Sequence, residues 1–125
     1  MKNLIIDAAN EKIFFSIISK SQSYTTTHVN SRENFDKFTV LLIDFLKKNK
    51  TKLDNLENIF VNQGPGKFSS LRISISIAKA ISLANNIALF SFESKDLKEG
   101  EYKKILELHK KGLLINNLIK PQYSS

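Results

Sequence analysis

The sequence predicts an α/β fold in which a mixed β-sheet is flanked by helices and followed by a C-terminal helical tail. Apolar or β-branched runs bounded by turn residues predict strands at residues 4–6, 13–18, 24–29, 59–61 and 88–92. Longer segments with apolar side chains at helical spacing separate the later strands. The predicted order is therefore β-β-β-α-β-α-β, and 125 residues suffice for one domain, or one lobe with an appendage.

The first three predicted strands form an antiparallel meander. Residues 13–18 are apolar on both faces, as in a central strand, and residues 24–29 are rich in threonine, as in an edge strand. The fourth strand follows a helical crossover, so we expect it to run parallel to the first.

The first long helix is expected to begin after Asn30 and to end near Asn49. Asn30 would cap the helix while Glu33 reaches back to it, which is the capping-box pattern. Apolar side chains then cover much of the helix circumference, more than one surface helix needs. We interpret the excess as a surface kept for a partner.

The second long helix is ambiguous by pattern. Residues 71–77 alternate polar and apolar side chains, which is typical of a strand. However, Ile73, Ile77 and Ile81 also recur every four residues, and the following residues favour a helix. We predict a helix.

The turn Gly64-Pro65-Gly66 separates the fourth strand from this helix. A phosphate-binding P-loop would need glycine at Val61 and Ser or Thr at Phe68, and the dinucleotide fingerprint would need glycine at Ser69. Glycine and proline in this arrangement instead favour a purely conformational turn, so we predict a structural role.

Two motifs carry a resemblance to a known family. Residues 64–73 read Gly-Pro-Gly-Lys-Phe-Ser-Ser-Leu-Arg-Ile, and residues 7–11 read Asp-Ala-Ala-Asn-Glu. They resemble the Gly-Pro-Gly-x-Phe-(Thr/Ser)-x-Leu-Arg-Ile signature and the Asp-Thr-Ser-x-Glu first turn of TsaB proteins. Those proteins are the non-catalytic actin-like partners in the machinery that makes threonylcarbamoyladenosine in tRNA. The element order is likewise that of one actin or sugar-kinase (ribonuclease H-like) lobe.

The resemblance covers residues 1–92, the expected N-terminal lobe, and extends weakly over 101–123. Family members carry a second lobe, so we interpret the chain as a shortened member that lacks most of that lobe. Residues 93–125 would then be a linker and tail, with a helix over 101–111 that Gly112 ends. The ending Pro121-Gln122-Tyr123 is similar to the Pro-x-Tyr close of the family.

Composition restricts the chemistry that the chain could perform. There is no cysteine, which excludes disulfides and thiolate metal sites, and His28 and His109 lack companions at ligand spacing. We therefore expect no cofactor or metal in this chain. The apolar start is too short for a signal peptide and no run is long enough to span a membrane, so we expect a cytoplasmic protein.

The resemblance implies that catalysis belongs to a partner. TsaD holds the metal and nucleotide and modifies the adenosine beside the anticodon, while TsaB pairs with TsaD through the two helices of its N-terminal lobe. TsaE is a possible further partner, tRNA an indirect one, and a homodimer is possible without TsaD. We expect the interface at Phe35, Phe38, Leu42, Arg72, Ile73 and Ile77.

Two alternative functions remain open. The net charge of +7 allows a basic module that binds tRNA directly, with Lys103, Lys104, Lys110 and Lys111 on phosphates, although 17 lysines and 2 arginines also suit a generic solvated surface. The other alternative is a residual nucleotide-binding lobe, ATPase or sugar-kinase-like, that uses Asp7.

Overall fold

The computed structural model describes residues 2–116 and 119–122 and contains a five-stranded mixed sheet in the order β3-β2-β1-β4-β5. The strands are β1 (Lys2–Asp7), β2 (Lys12–Ile18), β3 (Ser23–Val29), β4 (Leu56–Asn62) and β5 (Ala88–Phe92). The element order and the α/β class match the prediction. Of the family-like ending, Tyr123 lies outside the described residues.

Strand β1 is the centre of the sheet. It pairs antiparallel with β2, where Ile5 lies opposite Ser16, and parallel with β4, where Leu4 lies opposite Ile59. Strand β3 extends the meander and β5 runs parallel to β4. The side chains of β1 alternate between two buried faces, which explains why residues 4–6 at its centre are all apolar.

The predicted first helix is two helices, α1 (Arg32–Asp36) and α2 (Phe38–Lys48), divided at Lys37. The predicted cap was wrong: the hydroxyl of Ser31, not Asn30, accepts the N–H of Asn34. Asn30 is buried instead, and its side-chain amide donates to the carbonyls of Ala8 and Asn10. It therefore ties the end of the meander to the first turn. A short 3-10 turn (Leu53–Asn55) follows α2.

Residues 68–85 form one long helix, α3 (Phe68–Asn85), as predicted in preference to a strand. Leu71, Ile75 and Ala78 are buried at helical spacing, and this face covers the sheet. The helix ends at Asn85, and the left-handed backbone of the capping residue Asn86 lets the N–H of Ile87 donate to the carbonyl of Ser82 at 3.0 Å.

Both faces of the sheet are covered. On one face, α1, α2 and α3 enclose a large core in which the rings of Phe15 and Phe38 meet edge-on at 5.3 Å. On the other face, the chain after β5 returns as α4 (Lys104–Lys110), and Tyr102 and Ile105 pack over Ile5. The tail helix is therefore part of a second core.

No helix among residues 2–116 and 119–122 is long and apolar enough to cross a membrane.

Candidate functional site

In open α/β sheets, ligands bind beyond the carboxyl ends of the parallel strands. Here that position holds Asp7, the last residue of β1, beside Asn62, the last residue of β4. Asp7 is only 3% exposed. The Tyr102 hydroxyl donates to its Oδ2 at 2.6 Å, and the Asn62 amide donates to its Oδ1 at 2.9 Å. Both carboxylate oxygens are thus engaged within the chain.

Burial dominates the electrostatics of this cluster. It raises the pKa of Asp7, and the hydrogen bonds from Tyr102, from Asn62 and from the backbone of Ala9 oppose that rise. Burial and the neighbouring Asp7 charge raise the pKa of the Tyr102 hydroxyl as well, so Tyr102 stays protonated as a donor. The arrangement suits a structural hydrogen bond and offers no open carboxylate to a nucleotide or metal ion.

The described part of the chain contains no group of side chains arranged to bind a metal ion. Within residues 2–116 and 119–122, no three His, Asp or Glu side chains are grouped as metal ligands would be. Asp7, on which the alternative of a residual nucleotide-binding lobe depends, is already hydrogen-bonded to Asn62 and Tyr102.

The turn Gly64-Pro65-Gly66 uses its backbone donors inside the molecule. The N–H of Gly64 donates to the side-chain oxygen of Asn62 at 2.8 Å, and the N–H of Gly66 donates to the carbonyl of Gln122 at 3.1 Å. A phosphate in a glycine-rich cradle would require such N–H groups to point outward.

Close approach of other backbone segments accounts for both glycines. Gly64 has φ of 111°, and a side chain there would collide with the carbonyl oxygen of Gln122. A Cβ on Gly66 would collide with the carbonyl oxygen of Ala9 and lie 2.8 Å from the Ala9 Cα. The turn thus joins the first turn of the chain to its C-terminal segment.

The helical interface residues predicted from sequence divide into two groups. Phe38 and Leu42 are 1% and 0% exposed and lie in the core, so their assignment to a partner surface was wrong. They occupy adjacent turns of the α2 face that covers the sheet, which leaves them no access to another chain. The accessible members are Arg72, which is exposed, and Phe35, Ile73 and Ile77, which are half-buried.

Two accessible apolar side chains on these helices were missed. Val40 on α2 is 59% exposed, and Leu83 near the end of α3 is 87% exposed. Both lie on the side of their helix that faces away from the sheet, as does Arg72. Their position opposite the buried residues on a helical wheel is the signal that could have found them.

The four lysines predicted to contact RNA also divide. Lys103 and Lys110 line a cleft of about 1030 Å³ between α4 and the turn that joins β2 to β3. Lys104 and Lys111 instead form ion pairs, with Glu101 at 3.9 Å and with Glu107 at 3.2 Å.

Known proteins resemble this chain over most of its described length. The family model described as TsaD, tRNA N6-adenosine threonylcarbamoyltransferase, matches residues 12–94. A tRNA threonylcarbamoyladenosine biosynthesis protein TsaB from Buchnera aphidicola subsp. Schizaphis graminum is 29% identical over 91 residues, which cover 73% of this chain and 43% of the relative. The TsaB protein of Buchnera aphidicola subsp. Baizongia pistaciae is 31% identical over 85 residues, covering 67% and 38%.

Among solved structures, YeaZ from Pseudomonas aeruginosa matches with a TM-score of 0.68 at 18% identity, covering 74% of this chain and 43% of YeaZ. At that identity the match supports the fold alone. The chain spans less than half the length of the curated relatives named above. Because the family model covers more than half of the chain and TsaB proteins are among its relatives, the chain belongs to the family of TsaD and TsaB proteins, as a TsaB-type member.

Proposed function

We propose that this chain is a non-catalytic subunit that pairs with a TsaD protein and thereby supports threonylcarbamoyladenosine modification of tRNA next to the anticodon. The observation that carries the proposal is the outward surface of α2 and α3, which we call the outer helical surface: Val40, Arg72, Ile73, Ser76, Ile77, Ala80 and Leu83. Val40 and Leu83 are exposed there, while Ile73 and Ile77 are half-buried and pack partly against the first core.

The composition of the outer helical surface suits another helix. Ser76 and Ala80 are exposed on α3 and lie one turn apart, so a partner helix can approach the backbone closely between larger neighbours. Arg72 adds a charged group that can form a directed contact, and arginine is enriched at protein interfaces. We expect the lobe of a TsaD protein to carry equivalent helices that could pack against this surface.

An interface with TsaD would need both helices of the outer helical surface. A standard interface buries about 800 Å² on each partner, which is roughly a ninth of the 7311 Å² surface of this chain. Helix α3 has 18 residues and is about 27 Å long, and α2 has 11 residues and is about 16 Å long, so an interface of that size would extend along both helices.

The non-catalytic part of the proposal rests on Asp7. Its carboxylate is buried and both oxygens accept hydrogen bonds from this chain, which supports a structural role for Asp7. We expect the nucleotide and metal ion of the reaction on the partner.

Co-expression with the TsaD protein of the same genome tests the proposal. Size-exclusion chromatography with light scattering should detect a one-to-one or two-to-two complex, and mass spectrometry of tRNA should detect more threonylcarbamoyladenosine with this chain than without it. Elution of the folded chain and TsaD as separate species would refute the pairing.

Substitutions at exposed positions locate the interface without disturbing the core. Arg72→Glu and Val40→Glu should abolish co-elution with TsaD, because they place new negative charge on the outer helical surface. The matched control is Val29→Glu at the end of β3, which is 68% exposed and should leave co-elution intact. Equal effects of all three substitutions would refute this choice of surface.

A further inference from the structure

A second surface of the chain has the features of a binding site. It is the cleft between α4 and the β2–β3 turn, which we call the lysine cleft. Lys103 and Lys110 line it from the helix, Lys20 lines it from the turn, and Lys2 lines it from the start of β1. The cleft is open to solvent and lies on the opposite side of the sheet from the outer helical surface.

The helix presents two kinds of lysine. Lys103 and Lys110 are seven residues apart and so lie on one side of the helical turn, toward the cleft. Neither forms an ion pair within the described residues, and Lys20 forms none either. The adjacent Lys104 and Lys111, by contrast, are each paired with a glutamate. Of these four lysines in and beside α4, the two without an ion pair are therefore the two that line the cleft.

Carboxylates in the cleft do not cancel this charge. Glu57 and Glu107 line it beside four lysines, and Glu107 already holds Lys111 at 3.2 Å. An anionic ligand would therefore meet a positive field from three sides.

The floor of the cleft is polar and fixed. Asn3 and Asn58 are 7% and 6% exposed, and the Asn58 amide donates to the side-chain oxygen of Asn3 at 3.0 Å. The Asn3 amide in turn donates to the carbonyl of Ile18 at 3.2 Å. This chain of hydrogen bonds links β4, β1 and β2, so the base of the cleft does not need to rearrange when a ligand enters.

We propose that the lysine cleft binds phosphate groups of an RNA backbone. Lysine is a flexible, strongly hydrated point charge, which suits contacts to successive phosphates without reading sequence. A protein segment would need buried apolar or aromatic anchors, and Leu106 is the apolar side chain that the lining offers. The proposal concerns the chain alone and does not rest on its pairing with TsaD.

Fluorescence anisotropy with a labelled anticodon stem-loop RNA tests the site on the unpartnered chain. The double variant Lys103→Gln/Lys110→Gln should bind roughly tenfold or more weakly than the parent at low salt. Its plot of log affinity against log salt should be less steep by about 2, since each lysine lost from a phosphate lowers the slope by about 1.

The control is Lys12→Gln/Lys79→Gln, which removes the same charge from exposed positions at the start of β2 and on α3. It should bind RNA within about threefold of the parent, because neither lysine lines the cleft. Equal weakening of both double variants would mean that net charge alone attracts RNA and would overturn the cleft as the site. Absence of RNA binding by the parent at low salt would overturn the proposal outright.

A competition experiment with ATP distinguishes an RNA backbone from a single nucleotide as the ligand. ATP should displace the stem-loop only weakly, because a single nucleotide meets fewer of the four lysines than a backbone does. Tight ATP binding that depends on Lys103 and Lys110, without RNA binding, would overturn RNA in favour of a mononucleotide. Because no TsaD is present, each result is independent of the co-elution experiment.

Discussion

Removal of one hydroxyl, in Tyr102→Phe, should destabilise the whole chain. The hydroxyl donates a 2.6 Å hydrogen bond to Asp7 across 95 residues of sequence, and both side chains are buried. A hydrogen bond to a charged group contributes about 1.5–3 kcal/mol, and its loss leaves Asp7 Oδ2 without this donor. At about 2.1 cal/mol/K of unfolding entropy per residue, 125 residues give about 260 cal/mol/K, so 2 kcal/mol lowers Tm by about 8 °C.

The loss should also depend on pH. Because folding raises the pKa of Asp7 above 3.8, this carboxyl favours the folded state most below that pH, and its contribution fades as pH rises through the folded pKa. The Tyr102 bond favours the charged form, so without it Asp7 holds its proton to a higher pH still. The difference in free energy of unfolding between parent and variant should therefore be largest near pH 7 and smaller near pH 4.

Urea unfolding followed by circular dichroism at both pH values measures this difference. The matched control is Tyr24→Phe on β3, where the side chain is 39% exposed and the change should stay within about 0.5 kcal/mol. A Tyr102→Phe chain as stable as the parent at pH 7, or equally destabilised at both pH values, would refute the reasoning about Asp7.

Three further substitutions test the turn and the first core. Gly66→Ala should destabilise by about 1–3 kcal/mol in urea unfolding, since its Cβ meets the backbone of Ala9; an unchanged midpoint would contradict that close approach. Phe38→Ala should lower the free energy of unfolding by about 3–5 kcal/mol through the cavity it leaves, and Val40→Ala by no more than about 0.5 kcal/mol. Similar losses at Phe38 and Val40 would contradict the assignment of one to the core and the other to the surface.

The strands were predictable because their sequences carry the burial pattern directly. Residues 4–6 and 13–18 are apolar on both faces, and both faces of the sheet are indeed covered. The division between α1 and α2 was not predictable, because Phe35 and Phe38 keep helical spacing across the break at Lys37. A stripe of apolar residues indicates which side chains could be buried, but it does not indicate where one helix ends and the next begins.

The candidate surfaces were less predictable for a related reason. Where apolar side chains surround a helix, the sequence does not say which side meets the sheet, so Phe38 was assigned to a partner and Val40 was passed over. The bond between Asp7 and Tyr102 joins positions far apart along the chain and leaves no periodic signal. Similarly, the sequence alone does not show which of the four tail lysines form ion pairs. That distinction requires the positions of the neighbouring glutamates in the structure.

The contact between the glycine turn and Gln122 has a consequence for biosynthesis. The N–H of Gln122 donates to the carbonyl of Gln63 at 2.7 Å, and its carbonyl accepts the N–H of Gly66. A ribosome synthesises the chain from the N-terminus to the C-terminus, so all five strands leave the ribosome before Gln122 does. On the nascent chain the sheet can thus assemble while the turn still lacks these two bonds. The turn reaches its final hydrogen bonding only after Gln122 has been synthesised and can contact Gln63 and Gly66.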